Sequence, residues 1–367
     1  MTQNKEQSPV ETACLLCDSA VAAYQQARSD EAISLFLRAL QLLESSLSHD
    51  SPDIASVLNN LGAIFEDLSL YTDAHQAYCR ASSIMQAADG DDDILSLRLL
   101  SLSNLARIHR ILGRYSLAEP LLLQALDLAE HHFGSHHIEV ASALNNLAML
   151  YKYLARFDAA MPLYLRALAI FEQSLGPDHP HLASIYHNLG GLEHAAGRFA
   201  QGEPFARRSV QIREQALGPN NTDVAADKAA LAALLDGQGK YQEAEQLYRE
   251  ALSIFEQAYG SEHYEVAVNL NNLAAIHQAR GESEEAERLY ERALEIKERI
   301  FGSDNLEVAL TANNLGVLYQ SEGREEEAAR LYERAMAIYE MSLDPAHPHA
   351  VACRDNYAAL TISVSDF

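Results

Sequence analysis

The 367-residue sequence lacks the features of several large classes of protein. Its four cysteines are too few for a disulfide scaffold, so we expect a reducing compartment and a cytoplasmic location. No apolar run approaches the roughly 20 residues that a membrane-spanning helix needs, and the polar start has no basic region typical of an export signal. Basic residues are scarce: 27 lysines and arginines accompany 52 aspartates and glutamates, and the net charge of −25 repels phosphate backbones. We therefore expect neither membrane insertion nor nucleic acid as a partner.

The sequence contains instead a motif that repeats along most of the chain. The segment Ala-Leu-Asn-Asn-Leu-Ala at 143–148 returns with small changes at 57–62, 269–274 and 311–316. The position of its second leucine, Leu147, recurs every 42 residues, except for one step of 44. At that step we expect the acidic stretch 89–93 to hold two extra residues in a loop. A period of this length decides the fold before local propensities do. The recurring residues are Leu61, Leu105, Leu147, Leu189, Leu231, Leu273, Leu315 and Tyr357.

Each period predicts two antiparallel helices, which we call helix A and helix B. In 139–153 the apolar residues fall at the spacing of one helical face, and 158–175 shows a second such stripe. A short break separates the two helices, and in five periods it contains a glycine suited to the left-handed conformation that follows many helix ends. These glycines are Gly113, Gly197, Gly239, Gly281 and Gly323.

One such hairpin cannot bury its apolar stripe alone, whereas a stack of hairpins can. We therefore predict an all-α fold, a right-handed α-solenoid of about eight hairpins with a C-terminal capping helix and a concave face formed mainly by the A helices. The domain assignment is a disordered segment at 1–10, a single solenoid over 11–362 and a tail at 363–367. We expect the hairpins near 11–48, 53–88, 94–133, 137–175, 180–217, 222–259, 264–301 and 306–343, and the capping helix at 348–362.

Three sequence patterns relate the repeat to a known family. They are L-N-N-L-A-x-L/I-Y/H at 270–277, G-x-Y-x-E-A-E-x-L-Y-x-R-A-L-x-I at 239–254, with Glu250 at the arginine position, and L-G-x-x-H-P at 175–180. With these patterns the chain resembles the tetratricopeptide repeat proteins, and more narrowly the 42-residue variant found in kinesin light chains and related proteins. The resemblance covers nearly the whole chain. It implies a helical repeat fold that binds other proteins.

Paired asparagines in helix A are the most informative polar residues, because a mid-helix asparagine costs roughly half a kcal/mol relative to alanine and needs an offsetting role. Adjacent helical residues point about 100° apart, so one member of a pair can face the groove while the other turns toward the neighbouring hairpin. The family resemblance implies that the second asparagine lines the groove and holds bound peptide. The alternative is that both satisfy buried carbonyls between helices. The second-position asparagines of the candidate site are Asn60, Asn104, Asn146, Asn188, Asn272 and Asn314.

Basic side chains follow the asparagines in the third to fifth hairpins, where residues 101–200 carry nearly as many basic as acidic groups. They lie three or six residues beyond the asparagine, on the side where we expect the groove. Charge-assisted hydrogen bonds from them would favour a peptide with an acidic segment. Alternatively, they belong to a solvated helix end that balances nearby acids. These residues are Arg107, Arg110, Lys152 and His194.

Four clustered histidines are a weak candidate for a metal site, since imidazole is a common ligand of zinc, copper and nickel. The other interpretation is a helix end and the loop after it, where cations are expected without any metal. No nucleophile motif or cofactor-binding pattern stands out in the sequence, so we expect no enzyme and no cofactor. The histidines are His131, His132, His136 and His137.

These features together favour an adaptor that binds a peptide segment of a partner protein in its concave groove. Ala230 interrupts the row of asparagines, so we expect the main site on the second to fifth hairpins and any second site beyond the sixth. One alternative is an assembly scaffold that associates through its convex face and edges. A metal-responsive regulator or an enzyme on the same solenoid is the less favoured one.

Overall fold

The computed structural model describes residues 8–26, 28–88, 90–345 and 347–365, and all regular secondary structure in these ranges is α-helical. The chain divides into two compact units, residues 1–135 and 136–367. None of the described helices combines the length and apolarity that a bilayer crossing requires.

The described part of unit 1, residues 1–135, forms three helical hairpins. Ser8 caps the first helix through a hydrogen bond from the Glu11 backbone N–H, so this helix includes Pro9 and Val10, which the sequence assigned to a disordered segment. Residues 1–7 of that segment lie outside the described residues. The helices are α1 (Pro9–Gln25), α2 (Ser29–Ser46), α3 (Pro52–Asp67), α4 (Tyr71–Ala87), α5 (Asp92–Ile111) and α6 (Tyr115–Phe133).

In unit 2, residues 136–367, the described residues form five hairpins and a final helix. That last helix extends to Ser365, into the predicted tail, whose final two residues lie outside the described residues. The helices are α7 (Ile138–Tyr153), α8 (Phe157–Leu175), α9 (Pro180–Ala195), α10 (Phe199–Leu217), α11 (Thr222–Asp236), α12 (Tyr241–Tyr259), α13 (Tyr264–Ala279), α14 (Ser283–Phe301), α15 (Leu306–Ser321), α16 (Glu325–Ser342) and α17 (Pro348–Ser365).

Both units are all-α repeat solenoids in which odd-numbered helices are A helices and even-numbered helices are B helices. Each A helix packs mainly on the B helix of its own hairpin. Successive A helices also approach one another, namely α3 with α5 and each neighbouring pair from α7 to α17, whereas successive B helices in the described ranges approach less closely. We call the solvent side of the A helices in each unit its A face.

A glycine of the A helix faces a large aromatic of the B helix in the hairpins α3–α4 and α15–α16. A side chain at Gly62 would collide with the ring of Tyr78, and a Cβ at Gly316 would lie 2.8 Å from the ring of Tyr332. Close approach of the two backbones therefore depends on this pairing of a small with a bulky residue. The buried tyrosines are Tyr78, Tyr164, Tyr248, Tyr290 and Tyr332.

In the hairpins from α3–α4 to α15–α16, the turn between helices A and B contains a left-handed residue, as predicted. The five expected glycines have φ between 70° and 75°. Two hairpins place other residues at the same position: Ser69 with φ 56° and Ala155 with φ 53°. A side chain makes this conformation costly, so these two turns are strained relative to the glycine turns.

The acidic stretch 89–93 departs from the expected loop. Asp89 lies outside the described residues, but Asp92 and Asp93 form the first turn of α5. The Asp91 carboxylate accepts a hydrogen bond from the Ile94 N–H at 3.3 Å and caps the helix. The extra residues therefore lengthen α5 to 20 residues, against 16 in α7, because acidic residues stabilise the positive end of a helix.

Candidate functional site

Asparagines on successive A helices are joined by a recurring hydrogen bond, which we call the asparagine ladder. In each case the second asparagine of one hairpin donates Nδ2–H to Oδ1 of the first asparagine in the preceding hairpin. The first asparagine therefore faces the neighbouring hairpin, as predicted. The bonds run from Asn104 to Asn59 (3.0 Å) in unit 1, and from Asn188 to Asn145 (2.8 Å), Asn314 to Asn271 (3.1 Å) and Asn356 to Asn313 (3.1 Å) in unit 2.

The ladder determines which amides remain open. Within the described ranges, no protein atom accepts a hydrogen bond from Nδ2 of Asn60, Asn146 or Asn272. Asn272 follows a hairpin with Ala229 at the first position, so the usual acceptor is missing. Asn60 is exposed, while Asn146 and Asn272 are half-buried. These three amides can donate to a ligand without breaking a bond within the protein.

Asn104 differs from the other second-position asparagines because it is only 7% exposed. Its Nδ2 donates to Asn59, and its Oδ1 accepts from Nη2 of Arg107 at 3.1 Å. Both ends of the amide are thus used inside unit 1. Its assignment to the ligand-binding set stays a prediction, while both of its polar groups already hold neighbouring side chains in place.

Arg107 is also held within unit 1. Its Nε lies 3.0 Å from Oε1 of Glu66, and its Nη2 donates to the hydroxyl of Tyr78 at 3.1 Å as well as to Asn104. Glu66 offsets the guanidinium charge, so Arg107 offers a ligand less net attraction than the sequence suggests. Arg110, one turn further along α5, is partly buried and engaged with other groups of the protein.

In unit 2, Lys152 and His194 lie near each other at the C-terminal ends of α7 and α9. The Lys152 ammonium is 5.2 Å from the ring centroid of Tyr153 and would lie 3.5 Å from a Cβ at Gly191, so it reaches across to α9. Loss of solvation lowers the pKa of His194, the Lys152 charge lowers it further, and Asp236 opposes both. His194 is therefore neutral at pH 7 and supplies hydrogen bonds, not positive charge.

The four clustered histidines do not share one role. Nε2 of His132 lies 2.8 Å from Oδ1 of Asp92. Nδ1 of His137 accepts a hydrogen bond from the Glu139 backbone N–H and caps α7. Among the described residues, no group of three or more histidine, cysteine, aspartate or glutamate side chains is arranged to hold a metal ion.

One cluster of polar side chains in unit 2 was not identified from the sequence. Asp227 on α11 accepts a 2.6 Å hydrogen bond from Nε of Arg213 on α10, and its other oxygen lies 2.8 Å from Nδ1 of His187 on α9. The signal was available as a change from an apolar to a charged residue between successive repeats: Arg213 stands where α8 has Phe171, and Asp227 stands where α9 has Ile185. Neither position belongs to a conspicuous motif.

Comparisons with known proteins agree with this architecture. The model of the tetratricopeptide repeat family matches residues 11–87, 97–173, 139–201, 181–257 and 265–341. No curated protein matches the sequence significantly.

Similar solved structures come from several kinds of repeat protein. A putative kinesin light chain with nearly identical TPR-like repeats from Podosopora anserina is 25% identical, with a TM-score of 0.45 over 55% of this chain and 96% of its own. A Rap protein complexed with Competence and Sporulation Factor is 14% identical, with a TM-score of 0.60 over 97% of this chain and 99% of its own. A signal transduction ATPase with a tetratricopeptide repeat sensor from Pyrococcus horikoshii is 16% identical, with a TM-score of 0.57 over 98% and 50% of the two chains.

The matched segments cover most of the 367 residues, and their hairpins are those built by the paired A and B helices. The chain belongs to the tetratricopeptide repeat family.

Proposed function

We propose that this protein is an interaction scaffold, not an enzyme, and that it binds a peptide segment of a partner protein on its A faces. The main site lies on α7 and α9 of unit 2. Asn60 and Arg110 form a separate candidate site on the A face of unit 1. Asn272 and Asn314, on α13 and α15, form a second site in unit 2. A tetratricopeptide repeat protein is expected to bind proteins or peptides, and the open amides indicate where.

The half-buried amide of Asn146 carries the proposal. Its Nδ2–H groups have no acceptor among the described residues, although a partly buried donor without a partner is unfavourable. On α9, Asn188 uses one Nδ2–H for the ladder and leaves its Oδ1 available. An extended peptide presents C=O and N–H groups in alternation, so this donor and this acceptor can bind its backbone whatever its side chains are.

Charge favours an acidic segment at this site. The protein as a whole carries a net charge of −25 and repels acidic ligands, so a preference for them has to arise from local cations. Lys152 is placed beside Gly191, where the absence of a side chain leaves room for a carboxylate. We expect affinity for acidic peptides to fall as salt concentration rises.

The test uses peptides selected on the wild-type protein from a random linear library. A length of about 12 residues suffices, since an extended chain rises ~3.3 Å per residue and neighbouring helices lie ~10 Å apart. The double variant N146A/N188A should bind the selected peptides more than tenfold more weakly by fluorescence anisotropy, with its circular dichroism spectrum unchanged.

A matched control is N356A. It removes the same ladder bond, to Asn313, from the final helix and away from the main site. N356A should leave affinity unchanged. Equal affinity of wild type and N146A/N188A for every selected peptide contradicts the proposal.

One observation favours assembly through an edge as a second candidate function. Four apolar side chains near the C-terminal ends of the B helices α10, α12, α14 and α16 are solvent-exposed, and Met341 reaches 70% exposure. Self-association that survives N146A/N188A and disappears in M341S, measured by light scattering, would support it. A monomer at all concentrations would exclude self-association. The side chains are Leu217, Tyr259, Ile300 and Met341.

A further inference from the structure

The asparagine ladder of unit 2 is interrupted at α11. Ala229 and Ala230 occupy the two positions that hold asparagines in α13 and α15. The preceding helix α9 has His187 at the first position, where α7 has Asn145. The break therefore removes both partners of the bond that would join α9 to α11, and a histidine stands in place of the acceptor.

His187 is instead bound to Asp227, which in turn binds Arg213. Its Nδ1 lies 2.8 Å from Oδ1 of Asp227, whose side chain is only 1% exposed. Asp227 also accepts from Nε of Arg213 at 2.6 Å. The imidazole itself is 38% exposed, so the chain runs from the interior of unit 2 to the A face.

This arrangement determines which ring nitrogen carries the proton. An ionised carboxylate can only accept hydrogen bonds, so Nδ1 of His187 must be the donor to Asp227. In the neutral ring Nε2 is then an acceptor with its lone pair available. Nε2 of His187 is not buried, and no group among the described residues donates a hydrogen bond to it. The A face thus presents a fixed acceptor at the break in the ladder.

A second cation in unit 2, which is fully buried, indicates that the histidine is not needed for charge balance. Lys297 on α14 occupies the same repeat position as Arg213, and its Nζ lies 3.0 Å from Oε2 of Glu307. That pair is complete without a histidine, and the ladder beside it is intact between Asn271 and Asn314. Burying a cation with an acid therefore does not require the substitution at 187.

We propose that His187 determines ligand specificity, with Nε2 accepting a hydrogen bond from an N–H or O–H donor of the bound segment. Asp227 is its positioning residue. This inference rests on the proposed function, because it places His187 between the Asn188 contact and the second site at Asn272. The His187 contact requires a hydrogen-bond donor at one defined position of the ligand. Backbone binding by the asparagines does not impose that requirement.

The test compares two amide variants using peptides selected on wild type. In H187N the amide nitrogen is three bonds from Cα, as Nδ1 is in histidine. The asparagine can therefore keep the hydrogen bond to Asp227, but it has no acceptor at the position of Nε2. The glutamine amide in H187Q matches Nε2 and can supply an acceptor there. H187N should weaken binding about tenfold, the loss of one hydrogen bond, while H187Q stays within about threefold of wild type. The reverse order would show that His187 serves Asp227 alone, and the inference would be wrong.

A peptide scan identifies the donor. Each backbone N–H is methylated in turn, and each side-chain donor is replaced by an apolar group. The peptide that lacks the donor should bind wild type and H187N equally weakly. Its modification and the H187N substitution remove the same hydrogen bond, so their effects are not additive. Additive losses at every position would overturn the inference. If N146A/N188A weakens binding but H187N does not, the proposed function stands and this inference fails; if neither variant has an effect, both fail.

Discussion

The interfaces between successive hairpins of unit 2 are of two kinds, and the two alternate. Where α8, α12 and α16 meet the next A helix, the B helix supplies an aromatic residue, and a histidine precedes that A helix. Where α10 and α14 do so, the B helix supplies a buried or largely buried cation, and an asparagine caps the A helix. The aromatic set is Phe171, Phe255 and Tyr339 with His179, His263 and His347; the charged set is Arg213 and Lys297 with Asn221 and Asn305.

Local contacts follow the same division. Tyr259 stacks on His263 with ring centroids 4.1 Å apart, and Tyr339 stacks on His349 at 6.5 Å. Each of the three histidine Nδ1 atoms accepts from a backbone N–H at 3.2 Å, which requires a neutral ring. An asparagine cap has no such requirement. One repeat fold therefore uses interfaces that depend on protonation and interfaces that depend on ion pairs.

The largest expected effect comes from breaking a charged interface. D227A leaves the largely buried Arg213 with Asp223, 3.6 Å away, as its one nearby acid among the described residues, and should lower the free energy of unfolding by about 3 kcal/mol. The double variant R213F/D227I copies Phe171 and Ile185 of the preceding interface and should stay within about 1 kcal/mol of wild type. Urea unfolding followed by circular dichroism measures both. A tolerated D227A would show that the ion pair contributes little.

A smaller effect is expected from acid at an aromatic interface. Burial, aided by His349 and opposed by Asp344, lowers the pKa of His347 to about 4, whereas an unfolded histidine titrates near 6.5. The folded state thus binds fewer protons between these values, so stability is complete above about pH 6.5 and is lost as pH falls toward 4, by up to roughly 3 kcal/mol. H347N, which copies the caps at Asn221 and Asn305, should lose less stability over this range. An identical pH profile for H347N and wild type would contradict this role.

The smallest effect is expected from a substitution in a turn, which belongs to neither kind of interface and serves as a reference. Ala155 holds the left-handed position that other turns give to glycine, with φ 53°. A155G should raise the free energy of unfolding by about 0.5–1 kcal/mol, since removing Cβ relieves this strain. G197A, at the matching turn with φ 70°, should have the opposite sign. Thermal unfolding of the two variants gives the comparison.

Much of the fold could be predicted because its signals are local. The recurring leucines and the glycine turns identified the hairpins, and α7 to α16 begin and end close to the predicted limits. The extension of α5 was missed because a run of aspartates suits a loop as well as a helix N-terminus. The strained turns at Ser69 and Ala155 have no glycine to reveal them.

The candidate site was less predictable because equivalent residues have unequal surroundings. Asn104 and Asn146 share a repeat position, yet the first is sealed between Asn59 and Arg107 and the second is open. His187, Arg213 and Asp227 are separated by 14 to 40 residues and meet across three helices. No spacing in the sequence points to that contact.

The sequence by itself determined the repeat, the helices and their turns, since each depends on residues within a few positions of one another. Only the tertiary structure decided which amides can reach a ligand. An asparagine is closed or open according to the side chain 43 to 45 positions earlier, on the neighbouring hairpin. Hydrogen-bond donors and acceptors must be paired across that distance before any remain for a partner.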